Sequence, residues 1–184
     1  MRKASLILLA LIAASAVRAD TSPYAGEQQR AIKALSPSEI DDLRAGRGMG
    51  LAKAAELNGF PGPTHVLELA DRLGLDRDQR AATTALVARM KADAQRIGAD
   101  LIAAEQALAR AFAERRIDDG ALQAKLSEIA VLQGELRYVH LRTHLAQAAL
   151  LTPAQIARYE GLRGYAEPQS APAQGHGGHG THKQ

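Results

Sequence analysis

The chain has 184 residues, no cysteine or tryptophan, 3% aromatic residues, and a formal net charge of +3 from 23 Lys and Arg against 20 Asp and Glu. The lack of cysteine excludes disulfides, thiol chemistry and thiolate metal sites, so the fold must be held by packing alone. The small positive charge excludes little until the first segment is considered, and then it vanishes.

Residues 1–19 have the layout of a secretory signal peptide. Arg2 and Lys3 are followed by an apolar run over 6–17 and by Val17-Arg18-Ala19 ahead of Asp20. That run is short for a comfortable bilayer span, although an uncleaved N-terminal anchor is the alternative reading. Cleavage would remove Arg2, Lys3 and Arg18 and leave 20 basic and 20 acidic residues. The mature chain then has no basic footprint for nucleic acid, and nucleic-acid partners are set aside.

Residues 20–62 read as an N-terminal extension of short helical pieces, 37–45 closed by Gly46 and 51–57 closed by Asn58-Gly59. Asn58-Gly-Phe-Pro-Gly-Pro63 is dense in turn formers and marks a boundary. A helix over 64–73 follows, with Val66, Leu69, Ala70 and Leu73 on one side and Gly74 as its stop. From Arg77 to about Arg116 the apolar positions Leu86, Met90, Ile97, Leu101, Ala104, Leu108 and Phe112 step by about four and three. Asp93 interrupts that seam between Met90 and Ile97. Ile117-Asp-Asp-Gly120 supplies a turn. A second long helix runs to about Leu150, with Leu122, Leu126, Ile129, Leu136, Val139 and Thr143 inward. At about 1.5 Å per residue each arm is roughly 45–60 Å long. A last helix ends near Gly161 or Gly164, and no strand pattern occurs. Residues 167–184 are Pro, Gly, Gln and Ser with three histidines, a composition expected to be disordered. The expected fold is all-α: a long antiparallel helical hairpin with shorter flanking helices, its domain covering 63–166.

One phrase recurs three times: Leu35-Ser-Pro-Ser-Glu39, Leu75-Asp-Arg-Asp-Gln79 and Leu151-Thr-Pro-Ala-Gln155. Each reads as a capping box, with Ser36, Asp76 and Thr152 as N-caps and Glu39, Gln79 and Gln155 reaching back to them. Pro37 and Pro153 sit where a missing N–H costs nothing. Leu35 with Ile40 and Leu151 with Ile156 have hydrophobic-staple spacing, whereas the middle copy has Arg80.

His140 and His144 lie one helical turn apart and can face one ion together. A packed histidine beside a solvated one is the plain alternative. Folding the hairpin about Ile117-Asp118 brings Asp93 opposite the pair, where it would need either a metal or protonated imidazoles, an ion pair alone being sufficient. Met90 lies one turn from Asp93 and would suit a softer ion. His65, with Glu68 one turn on, falls roughly 10–15 Å short of the pair when its helix is folded back about Leu75. His176, His179 and His182 form a flexible tract able to bind zinc, copper or nickel weakly. No nucleophile elbow, phosphate loop or carboxylate pair in a cleft motif is present, so an enzyme is not expected.

With two Leu-Thr-x-x-Gln-like phrases flanking a long hairpin, the chain resembles the Spy/CpxP family of periplasmic stress proteins. It is also similar to related zinc-responsive and CnrX-type nickel/cobalt-sensing proteins. The likeness covers roughly 63–165; Leu151 to Gln155 fits the phrase fully, and Leu75 to Gln79 departs from it by Asp76. It implies a periplasmic, antiparallel, cradle-shaped homodimer that holds unfolded clients without ATP. The alternative it carries is a heavy-metal sensor or scavenger, binding zinc, nickel, cobalt or copper and coupled to an envelope stress-signalling partner. No cofactor is required for the first function. In the metal-sensing branch a methionine often stands where this chain has His144, which leaves the metal open.

Overall fold

The computed structural model describes residues 21–165. The signal-peptide reading of 1–19 and the tail histidines His176, His179 and His182 lie outside the described residues. Within them the chain is helical, with no strand. After a 3-10 turn at Glu27–Gln29 come α1 (Pro37–Ala45), α2 (Lys53–Glu56), α3 (Pro63–Glu68), α4 (Ala70–Leu73), α5 (Arg77–Ala113), α6 (Asp119–Leu150) and α7 (Pro153–Arg163). No described helix is long and apolar enough to cross a membrane.

All three capping boxes form, closed in both directions at Ser36 and Glu39, at Asp76 and Gln79, and at Thr152 and Gln155. Gly46, Gly74 and Gly164 end their helices in the left-handed conformation that lacks a Cβ penalty. Two boundaries differ from the sequence expectation. The hairpin turn comes earlier: α5 stops at Ala113, Arg115 takes φ 54°, and Asp118 caps α6 by accepting from the Ala121 N–H at 2.8 Å. Asp119 and Gly120 thus start a helix rather than make a turn, because an N-cap aspartate outweighs a single glycine within the first turn. The helix expected over 64–73 is broken at Leu69, whose φ −102° and ψ 12° bend α3 away from α4.

The two arms of the hairpin, α5 and α6, pack along their length. Their shared core contains Ala94, Ile97, Leu101, Ala104, Ile129, Leu136 and Val139, together with Leu43 from α1. The N-terminal extension therefore shares the hairpin's core. α1 approaches α5 at Gly98, where a Cβ would stand 2.6 Å from the Leu43 carbonyl oxygen. A second apolar cluster joins α4, Leu75 and Leu151 to α7 through Tyr159, with Val66 from α3.

The repeated phrases also hold elements together. The side-chain amides of Gln79 and Gln155 donate to each other reciprocally at 2.9 Å, and Gln79 Nε2 also donates to the Leu150 carbonyl at 2.9 Å. The start of α5 is thus tied to the start of α7. Where the middle phrase lacks a staple, Arg80 donates to the Leu75 carbonyl at 3.2 Å and to Asp71 at 2.7 Å.

Candidate metal centre

His140 and His144 are both buried on the inner side of α6, one turn apart as their spacing requires. They line a cleft of about 730 Å³ whose floor is α5 and α6, through Val87, Met90 and Lys91. Its walls come from residues 45–65, including Gly48, Met49, Glu56, Gly62 and His65.

The two imidazoles are held differently. His144 Nδ1 lies 2.8 Å from the Phe60 carbonyl, which can only accept, so this nitrogen carries a proton and Nε2 is the one that could ligate. A backbone carbonyl orienting the far nitrogen is the usual support for a metal-binding histidine. His140 is 3% exposed, and neither of its ring nitrogens makes a hydrogen bond among the described residues. Its Nε2 is sealed from solvent with no partner. Burial, and then the neighbouring His144, push its pKa below the ordinary value of 6.5. The ring is therefore neutral at pH 7, the form that ligates metals.

Glycine makes room for both rings. A Cβ on Gly62 would stand 3.4 Å from His144 Nε2 and 3.1 Å from Cε1, and one on Gly48 would stand 3.8 Å from His140 Nδ1. A side chain at Gly62 would crowd His144, whereas one at Gly48 would meet His140 only at ordinary van der Waals contact.

The wall is fastened by Glu56 at the end of α2. One carboxylate oxygen accepts from the Gly62 N–H at 2.9 Å; the other accepts from Tyr159 OH at 2.6 Å and Tyr165 OH at 3.2 Å. Arg163 Nε lies 3.6 Å from Glu56, and His144 Nδ1 lies 3.8 Å from it. Burial and the bond to Glu56 push the Tyr159 hydroxyl far above its ordinary pKa, so it stays a donor at any working pH.

Of the residues expected at the site, Asp93 does not arrive. The seam position between Met90 and Ile97 belongs to Ala94, which is fully buried, and Asp93 sits one residue back around the helix. Its carboxylate is bonded to the Arg142 guanidinium, which also stands 5.4 Å over the Tyr138 ring. The ion-pair alternative is thus the one realised, with arginine in place of histidine. His65, expected to fall short, lines the same cleft because α3 bends at Leu69 and lies across α5 and α6. Its Nδ1 is engaged with Glu68 Oε2 at 2.9 Å. Glu56, Gly48, Gly62 and Met49 were missed. They belong to the extension, and only the dense turn signal of residues 58–63 hinted that backbone comes close to something there.

Among the described residues no group of three or more His, Asp or Glu side chains gathers at metal-binding distance. What the fold offers is a histidine pair in a cleft. No family model, curated protein or solved structure matches the chain.

Proposed function

We propose that the chain is a metal-binding protein of the cell envelope that holds its ion through His140 and His144. The observation that carries this is His140: a buried imidazole lining the cleft with no hydrogen bond on either ring nitrogen, its Nδ1 toward Gly48, one turn from a second imidazole already oriented by a carbonyl. An unpaired buried polar atom is costly and persists where a ligand or function compensates it. The leader of residues 1–19 and the resemblance to the Spy/CpxP and metal-sensing proteins support placing this activity in the periplasm, within a stress or resistance response.

Calorimetric titration of the mature chain with zinc, nickel, cobalt and copper tests the reading. One ion per chain is expected at the core site. His140→Ala/His144→Ala should abolish that binding, while His176→Ala/His179→Ala/His182→Ala should preserve it. Binding that follows only the tail histidines would remove the core site from consideration.

A second reading, client holding, rests on a separate observation. Val131, Tyr138 and Leu145 are 59%, 62% and 57% exposed. Each follows a core position of α6 (Ile129, Leu136, Thr143) by two residues, about 200° around the helix. They form an apolar row on the face away from the core, at the seven-residue spacing of helix-to-helix contacts. Such a row suits an unfolded apolar segment or the second copy expected from the resemblance. Purified protein should slow aggregation of a denatured client at near-stoichiometric ratio, and Val131→Ser/Leu145→Ser should weaken this while leaving the fold intact. Unaltered aggregation with the wild-type protein would rule out the holding reading.

A further inference from the structure

The inference concerns which ion the histidine cleft takes, and it rests on the proposal that His140 and His144 bind one. The chain has six histidines and three methionines. Three histidines, at 65, 140 and 144, line this cleft, and the other three lie in the tail. Beyond the initiator, both methionines, Met49 and Met90, line it as well. In a cysteine-free chain these thioethers are the available soft sulfur donors, and both line the cleft that His140 and His144 line.

The hard donors nearby are committed. Glu56 is engaged by Gly62, Tyr159 and Tyr165, with Arg163 beside it; Glu68 is paired with His65, and Asp93 with Arg142. Carboxylates therefore contribute little to a coordination sphere, whereas zinc, nickel and cobalt sites on two histidines commonly add one. The cleft is also lined by Lys53 and Lys91, which make no ion pair among the described residues, whereas Arg47 is paired with Asp42 and Arg163 lies beside Glu56. Repulsion from that lining scales with ionic charge, so it bears half as hard on a monovalent ion as on a divalent one.

Met49 itself is held in an uncommon conformation. Its φ is 43°, between Gly48, which abuts His140, and Gly50 with φ 77°. A long side chain in the left-handed region is strained, and such strain gathers at ligand-holding positions.

We propose that this cleft is a site for a soft monovalent d10 cation, Cu(I), taken by His140 and His144 with Met90 and Met49 as thioether ligands. The full mature chain bearing His176→Ala/His179→Ala/His182→Ala, so that only the cleft reports, is titrated anaerobically with Cu(I) against a chromophoric chelator. Ag(I), a redox-inert stand-in, and Zn(II) are titrated separately. One Cu(I) per chain is expected. Met49→Leu/Met90→Leu, which conserves volume and so preserves packing, should weaken Cu(I) and Ag(I) about tenfold or more while leaving Zn(II) unchanged. X-ray absorption of the Cu(I) form should show sulfur scattering that disappears in the leucine variant. Circular dichroism of each variant checks that it remains folded. Tighter binding of Zn(II) than Cu(I), or Cu(I) affinity and sulfur scattering untouched by the leucine substitutions, would overturn the copper assignment and leave the histidine site standing. Absence of any ion bound through His140 and His144 would remove the underlying reading instead.

Discussion

Glu56 is a carboxylate whose loss would strand several partners at once. Truncation to alanine leaves the Tyr159 hydroxyl and the Gly62 N–H without their acceptor, both in buried surroundings. Glu56→Ala should cost about 2–4 kcal/mol in urea unfolding, since bonds to a charged acceptor are stronger than neutral ones and stranded donors add to the loss. Tyr159→Phe should show strong coupling with it in a double-mutant cycle, and simple additivity would mean the bond contributes nothing. Glu105 is the opposite case, a nearly buried carboxyl on α5 whose pKa burial raises above 4.5. Between that ordinary value and its folded value the native chain holds a proton that the unfolded chain has released. The stability this group gives is thus full below pH 4.5 and is lost as pH rises through the folded pKa. Glu105→Gln should unfold at higher denaturant than wild type at pH 7, and the gap should shrink as pH falls. At this scale the sequence was informative wherever chemistry is local. The capping residues and the histidine pair follow from spacing alone. Asp93 was misplaced because successive helix residues differ by about 100°, so an error of one residue exchanges a core position for a flank.

At the scale of elements, glycines separate packing from propensity. Gly98 lies under α1, where an added Cβ would sit 2.6 Å from backbone, while Gly134 in α6 would meet nothing within 4 Å. Gly98→Ala should therefore destabilise by about 1–3 kcal/mol, through strain against a backbone that cannot yield locally. Hydrogen exchange should quicken in residues 37–45 of the same variant. Gly134→Ala should stabilise by about 0.5–1 kcal/mol because alanine is the better helix former and no contact opposes it. Equal effects from the two would mean that α1 is not seated on Gly98. The long helices were legible because three-and-four periodicity over thirty residues leaves no other reading. The break at Leu69 was not, since nothing in its local sequence opposes a continuous helix. It follows from the demands of packing α3 across the hairpin and α4 against α7.

At the scale of the molecule, the hairpin and its capped ends were legible, but the cleft was only half so. Its floor lies on the arms, where periodicity speaks; its walls are short helices and turns between Ala45 and His65, whose approach to α6 is tertiary and leaves no periodic trace. The extension thus changes role, from a segment without assignment to the cover over the histidines. Gly62→Ala tests that cover directly. It should lower metal affinity about tenfold, read by the same titration, and also lower thermal stability, because the added Cβ would stand 3.1 Å from both His144 Cε1 and the Glu56 oxygen that accepts from the Gly62 N–H.

The bond from Tyr159 to Glu56 spans 103 residues of chain. Closing so long a loop carries an entropic cost that nearby contacts do not repay, so pairings of this kind form late in folding. The arms can zip together from their own turn at 114–118, but the cover is secured only when the last helix is in place. A nascent or partly unfolded chain would have its two histidines on one helix and no enclosure around them. On the proposed metal-binding reading, an ion kept in the cleft would mark a molecule that has finished folding, and removing α7 should release it.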